Sequence, residues 1–366
     1  MNVGDVFAGA GGLALGFYLV GFSMVIAVDV NPYRRETYTS NIEVSEYIVS
    51  DVKSLDPKVF RGVDVLIAGP PCRPYSRANR LRVGEGHAEF GLEWAVVEIT
   101  REVRPRVVVV EEVPSALNRL ERVGVALAKA GFSYALKVIN FAEYGIPQAR
   151  KRGILVATRG FSAVKVFNVL YHFRSQAPTV GEAIGDLPLE PTYKEEEYIN
   201  AVGWLTGRYV GRILNHECTR HKDRTIELIK KIPEGCNLRK AAILGLLPPE
   251  LAKTAVKRHS YKYRRLDRHS IAPTIPHPRA SMVLHPRADR ILTVREVARL
   301  QAFPDWFRFK GPLDDKYRQV VDAVPPRFSY YLALSIASLL NIRIRGLLYT
   351  PRTWDSWKCI QPLQSL

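Results

Sequence analysis

Short β-branched runs alternate with amphipathic stretches from the start of the chain: Val3 to Phe7, Met24 to Val30, Val63 to Ala68, Val107 to Val110, Tyr134 to Phe141 and Gly153 to Ala157. This rhythm predicts βαβ units around a mostly parallel sheet, hence an α/β fold. Ligands of such sheets sit beyond the carboxyl ends of the strands, where loops converge and helix N-termini point. The candidate site is therefore the set of residues just beyond each run: Ala8-Gly9-Ala10-Gly11-Gly12, Asp29, Gly69-Pro70-Pro71-Cys72, Glu111-Glu112 and Gln148-Ala149-Arg150. From about residue 175 the periodicity weakens and Pro, Tyr, His and basic residues interleave, which predicts a second, irregular domain. Helical spacing returns at Val294 to Gln301 and Phe328 to Leu340, so the C-terminal part is expected to fold back onto the first domain.

Composition adds a core and a charge. With 366 residues and 47% hydrophobic content, the chain can bury one large core and a smaller second one. No run of 18 apolar residues occurs, and no basic region with an apolar stretch precedes Val3, so a cytoplasmic protein without membrane partners is expected. Cysteines 72, 218, 236 and 359 show no pairing pattern, which argues against a disulfide framework. The net charge is +17, and residues 201–300 hold 21 Lys+Arg against 8 Asp+Glu, that is +13 of it. A polyanionic partner is expected on that segment.

The glycines after the first run permit a tight turn and close backbone approach to a ligand, and Asp29 could accept hydrogen bonds from both hydroxyls of a ribose. The phosphate-loop pattern is absent, because no Gly-Lys-Ser/Thr comes after it. Three prolines around Cys72 stiffen the loop that presents it, and Arg73 beside it would favour the thiolate; a small buried thiol is the alternative. Glu111 comes after four valines and is expected deep at a strand end, where desolvation raises a carboxyl pKa. Alternation puts Gln148, Arg150 and Arg152 on one face of a strand. His216-Glu217-Cys218-Thr219-Arg220-His221, with Cys236, offers metal-ligand types, but without a Cys-x-x-Cys partner; contacts to phosphates or bases are the preferred reading, and no metal is expected.

Taken in order, these segments resemble the cytosine-5 DNA methyltransferase family over most of the chain. The resemblance rests on Asp5-Val6-Phe7-Ala8-Gly9-Ala10-Gly11-Gly12, the Pro71-Cys72 loop, Glu111-Glu112-Val113 and Asn140 to Arg152. It continues through Leu292 to Asp305 and closes on Ala323-Val324-Pro325-Pro326. It implies a Rossmann-like S-adenosylmethionine-dependent methyltransferase sheet with a smaller irregular target-recognition domain. The division implied is 1–180 catalytic and cofactor-binding, 185–290 target recognition, 291–345 a return segment completing the catalytic domain, and 346–366 a tail.

The implied chemistry is methyl transfer to carbon 5 of a flipped-out cytosine in double-stranded DNA. Cys72 would attack carbon 6, Glu111 would meet ring nitrogen 3, and Arg150 and Arg152 would hold the base and its phosphate. For S-adenosylmethionine, the resemblance places Phe7, Gly9, Gly11, Gly12 and Leu13 around the methionine and adenosine parts. Asp29 and Val30 would lie at the ribose, Asp51 and Val52 at the adenine, with Pro71, Leu92 and Val324 completing the wall.

The chain departs from the family at Arg73, Tyr75, Glu112 and Val321-Asp322, where Gln, Phe, Asn and Gly-Asn are usual. A transfer-RNA methyltransferase is the enzymatic alternative, although its Cys-Phe-Thr segment is missing, and an inactive nucleic-acid-binding relative is another. A monomer is expected, as is a separately encoded cognate restriction endonuclease.

Overall fold

The computed structural model describes residues 1–71, 91–193, 199–202, 209–257, 262–342 and 355. Cys72, Arg73 and Tyr75 lie outside the described residues. The chain opens as β1 (Asn2–Val6), α1 (Gly12–Val20), β2 (Ser23–Asp29), α2 (Pro32–Thr39), β3 (Val44–Val49) and β4 (Val65–Ala68). After α3 (Glu93–Val103) come β5 (Val107–Glu112), α4 (Leu117–Lys129), β6 (Ser133–Asn140), β7 (Gln148–Ala149) and β8 (Lys151–Thr158).

The main sheet runs β3-β2-β1-β4-β5-β8-β6, with β8 antiparallel to both its neighbours and the other pairings parallel. The chain lays β1, β2 and β3 outward in one direction, then crosses back to put β4 on the other side of β1. β1 and β4 therefore flank a topological switch point, the place where ligands of such sheets bind. Of the runs recognised in the sequence, each ends within two residues of an observed strand. The edge strand β3 was not recognised: its Ser45, Glu46 and Val49 face solvent, so it lacks an apolar signature.

The four-valine run explains why the centre is dry. Val107 and Val109 enter one hydrophobic cluster, Val108 and Val110 the other, all fully buried. A strand covered on both faces has no polar alternation. On one face lie α3 and α4, with Val96, Leu120 and Val123. On the other lies α1, itself covered by a helix from the C-terminal part of the chain.

The middle of the chain continues with α5 (Val164–Leu170), α6 (Val180–Ile184), the hairpin β9 (Ile199–Val202) and β10 (Tyr209–Ile213), and the helices α7 (Asp223–Lys230), α8 (Leu238–Ile243) and α9 (Pro249–Lys257). Next come the short pieces β11 (Arg264–Arg265), β12 (Ala272–Pro273), α10 (Pro278–Ser281) and β13 (Val283–Leu284). β12 pairs in parallel with β7, bringing the basic segment beside Arg150. Buried residues from Ile213 to Leu284 join the same cluster as α1 rather than a separate core.

The chain closes with α11 (Val294–Leu300), α12 (Leu313–Asp322) and α13 (Pro326–Leu339). A reciprocal capping box, Thr293 with Glu296, starts α11. α13 packs on α1 at backbone distance: a Cβ on Gly16 would lie 2.2 Å from the Tyr330 backbone nitrogen. Ser329 Oγ donates to the Leu13 carbonyl at the same crossing. Gly16→Ala is therefore expected to separate the two helices and destabilise the fold by about 3 kcal/mol. The shift of the urea midpoint measures it, and an unchanged midpoint would contradict the crossing.

Candidate active site

The loop after β1 is wound tightly. Phe7 (φ 60°), Gly9 (φ 57°) and Gly11 (φ 87°) all take left-handed backbone conformations, which is costly at Phe7 and free at glycine. The turn is fixed by Ala8 N–H donating to the Val28 carbonyl at 2.9 Å and by Gly9 N–H donating to Asp29 Oδ2 at 2.9 Å. A Cβ on Gly9 would meet nothing nearer than the Phe7 carbonyl oxygen at 3.9 Å, so the turn leaves an open cradle. Gly12 is the opposite case, since its Cβ would lie 2.5 Å from the Val324 carbonyl oxygen. Val324 from the return segment and the glycine turn are thus brought together.

Asp29 ends β2, 5% exposed. Besides Gly9, Oδ1 accepts from Asn31 N–H at 2.9 Å, and Oδ2 also accepts from Arg34 Nη1 at 3.3 Å. A carboxylate offers about four lone-pair directions, and three are engaged. Among the described residues, these three contacts hold the carboxylate in place at the strand end. Val30 is 69% exposed beside it. Asp51 is exposed and caps its own turn by accepting from Lys53 N–H at 3.0 Å, while Val52 is buried. Leu92 is buried at the start of α3, and Pro71 is partly exposed after β4. An open glycine turn beside a buried carboxylate at the switch point fits a nucleoside-bearing cofactor.

Glu111 lies at the end of β5, buried, with its Oε1 2.8 Å from Arg152 Nε. Burial holds its carboxyl above the ordinary range, and the charges of Arg152 and Arg150 pull against that. Gly69, three residues before Cys72, faces it: a Cβ there would stand 3.8 Å from Glu111 Oε2 with nothing closer. Gln148 and Arg150 are buried, Arg152 largely so, and Lys151 is exposed, though the three do not share one strand: β7 ends at Ala149 and β8 begins at Lys151. Gln148 is structural, donating to the Leu300 carbonyl at 3.3 Å and accepting from Ile275 N–H at 3.3 Å. Arg150 Nη2 donates to the Val321 carbonyl at 2.9 Å, tying the site to the end of α12.

The sequence reading missed Arg34, because an arginine in a polar helix carries no signature of its own; only its position five residues after Asp29 could have marked it. The histidine segment is a correction. His216 is fully buried, its ring nitrogens 2.9 Å from the Pro188 carbonyl and 3.1 Å from Thr293 Oγ1, and burial pushes its pKa down to about 4. Glu217 and Cys218 are also interior, with Glu217 taking Lys316 Nζ at 2.7 Å. These three residues hold the molecule together and face no phosphate or base. Among the described residues, no group of three or more His, Cys, Asp or Glu could hold a metal ion.

Glu112, where an asparagine was expected, is buried with its Oε2 accepting from Val113 N–H at 2.7 Å. Burial, with Glu111 and Glu93 nearby, pushes its pKa up to about 8, against the Val113 N–H and Arg152. A carboxyl whose folded pKa is raised contributes stability below its unfolded pKa and loses it as pH rises through the folded one. Between the ordinary carboxyl range and pH about 8, the protein should therefore lose stability relative to Glu112→Gln, by up to about 1.4 kcal/mol per pH unit. Guanidinium midpoints of both proteins across that range measure the difference, and parallel curves would refute the assignment.

Comparison with known proteins supplies the identity. Residues 1–338 match the C-5 cytosine-specific DNA methylase family. The chain is 29% identical over 350 residues to the type II methyltransferase M1.HphI of Haemophilus parahaemolyticus, covering 92% of this chain and 86% of that protein. It is 29% identical over 358 residues to M.NgoFVII of Neisseria gonorrhoeae, with the same coverage. Among solved structures, a prophage-encoded DNA modification methyltransferase from Escherichia coli shares the fold at TM-score 0.69 and 22% identity, over 93% of this chain and 99% of that one. The Dnmt2 methyltransferase of S. pombe does so at TM-score 0.62 and 15% identity, over 93% and 100%. The chain thus belongs to the C-5 cytosine-specific DNA methylase family and is a DNA cytosine-5 methyltransferase that uses S-adenosylmethionine.

Proposed function

We propose that the chain methylates a cytosine flipped out of double-stranded DNA through a covalent bond to Cys72. The observation that carries this reading is the buried Glu111, gripped by Arg152 and facing Gly69 on the strand end that leads to Cys72. Carbon 5 of cytosine is a poor nucleophile within an aromatic ring, so the ring must first be broken open electronically. Attack of the Cys72 thiolate on carbon 6 does this, and the resulting charge needs a partner at ring nitrogen 3. A carboxyl whose proton affinity is raised by burial can meet that need, supplying a proton as charge develops. Loss of the carbon 5 proton then breaks the carbon 6–sulfur bond and restores the ring. S-adenosylmethionine supplies the methyl group, and the turn Phe7 to Leu13 with Asp29, Val30, Asp51, Val52, Pro71, Leu92 and Val324 would hold it.

Arg152 orients Glu111, and Arg150, joined to the Val321 carbonyl, would meet base and phosphate. DNA binding is assigned to the basic middle of the chain. Lys222, Arg224, Lys230, Lys231, Arg239, Lys240, Lys253 and Lys257 are all exposed there, on or next to α7, α8 and α9. Such a surface neutralises phosphates irrespective of sequence, while base edges set the target.

Cys72→Ser should abolish methyl transfer to duplex DNA, and Glu111→Gln should lower kcat by about a hundredfold or more. The wild-type protein should be trapped covalently on DNA carrying 5-fluorocytosine, visible as a denaturant-stable band. Turnover surviving in Cys72→Ser, or methylation of transfer RNA but not DNA in a parallel assay, would overturn the proposal. Separately, DNA affinity should fall steeply between about 50 and 200 mM salt. Filter binding across that range measures the slope, and a flat response would remove the basic surface from the assignment.

A further inference from the structure

The cofactor crevice has a wall that the motifs do not describe. α2 and α12 are stitched together by polar side chains along its edge: Asn31 Nδ2 donates to Asp315 Oδ1 at 3.0 Å, and Thr37 Oγ1 lies 2.6 Å from Gln319 Oε1. At the end nearest the glycine turn sits Arg34, its side chain 18% exposed. Nη1 reaches Asp29 Oδ2 at 3.3 Å and Nη2 reaches Asp322 Oδ2 at 3.4 Å. Asp322 ends α12, one residue after the Val321 carbonyl held by Arg150 and two before the Val324 that abuts Gly12. One guanidinium therefore spans the carboxylate that closes β2 and the helix end that closes the return segment.

We propose that Arg34 is a positioning residue for cofactor binding, coupling Asp29 to Asp322 so that the Asp29 carboxylate and the Ala323-Val324 backbone are held in one geometry. The proposal rests on S-adenosylmethionine lying in the crevice between the glycine turn and Asp29. The chemistry arises from the pairing. Asp322 is a second carboxylate at this edge, and unscreened it would push Asp29 and the helix end apart. Arg34 cancels that repulsion with a rigid planar fork. It also places a cation at the C-terminus of α12, where the helix dipole is negative. By gripping Oδ2 it also fixes the orientation of the Asp29 carboxylate that would face the ribose.

The test uses the full chain and S-adenosylmethionine alone, by calorimetry without DNA. Arg34→Ala should weaken binding about tenfold, the order expected for loss of a charge-assisted contact. Arg34→Lys should recover part of it, and the melting temperature without cofactor should change little. In turnover, the loss should fall on the cofactor KM more than on kcat. Asp322→Asn should weaken binding less, and the double variant should show no more than the Arg34→Ala loss. An unchanged dissociation constant in Arg34→Ala, while Asp29→Ala loses binding, would overturn the assignment of Arg34 alone. Additive losses would overturn the coupling to Asp322, and a loss that tracks the melting temperature in every variant would reduce Arg34 to a structural role. If Asp29→Ala also binds normally, the cofactor placement itself fails and the proposal with it.

Discussion

The crossing of α13 over α1 is the constraint on which the rest of the structure depends. Gly12 and Gly16 let the return segment approach at backbone distance, which no larger residue at either position would allow. That approach seats α13 on one face of the sheet, with Phe328 against Phe141 and Tyr144 at ring-centre distances of 4.6 and 5.4 Å. It also fixes where α12 must end. Val324 meets the glycine turn, Val321 meets Arg150, and Asp322 meets Arg34, all within four residues. The chain leaves the main sheet for more than a hundred residues before α12 and α13 return to it.

Charge in this protein has two separate duties. Arg265, Arg290, Arg295 and Arg299 lie in the basic stretch but are buried, each bonded inward: Arg290 to both oxygens of Glu296 at 2.8 Å, and Arg295 to three backbone carbonyls. Arg299 is held between Asp186 and Asp305. A guanidinium can be interior when its fork is fully satisfied, whereas breaking one partner leaves a buried charge exposed to the full desolvation penalty. Arg290, Arg295 and Arg299 tie residues 186–290 to α11 and the turn after it, while Arg265 braces the basic stretch internally. The lysines and arginines on and around α7, α8 and α9 are instead exposed, and their flexible stems keep their charge in water.

Two departures from the family pattern acquire physical accounts. Glu112 sits where a neutral amide is usual, and burial favours its neutral form up to pH about 8. Near neutrality it is thus closer to the residue it replaces than its name suggests. Asp322 brings a charge to the end of α12, and Arg34 answers it from the opposite helix. In both cases the replacement is accommodated by its immediate surroundings, one by a proton and the other by a counter-ion.

What the sequence by itself determined was local and periodic. Fully apolar runs marked the strands that are buried on both faces, and the residues just beyond them marked the crevice, because a strand's end and the turn after it are neighbours in the chain. Ordered motifs then identified the family. The sequence could not order the strands: β8 lies between β5 and β6, antiparallel to both, by pairings formed across the whole sheet. Nor could it distinguish an interior arginine from a surface one, or reveal that Arg34 and Asp322, 288 residues apart, share an ion pair. Those decisions belong to the tertiary structure, since burial and charge pairing depend on which surfaces meet, and nothing in the spacing of the residues encodes that meeting.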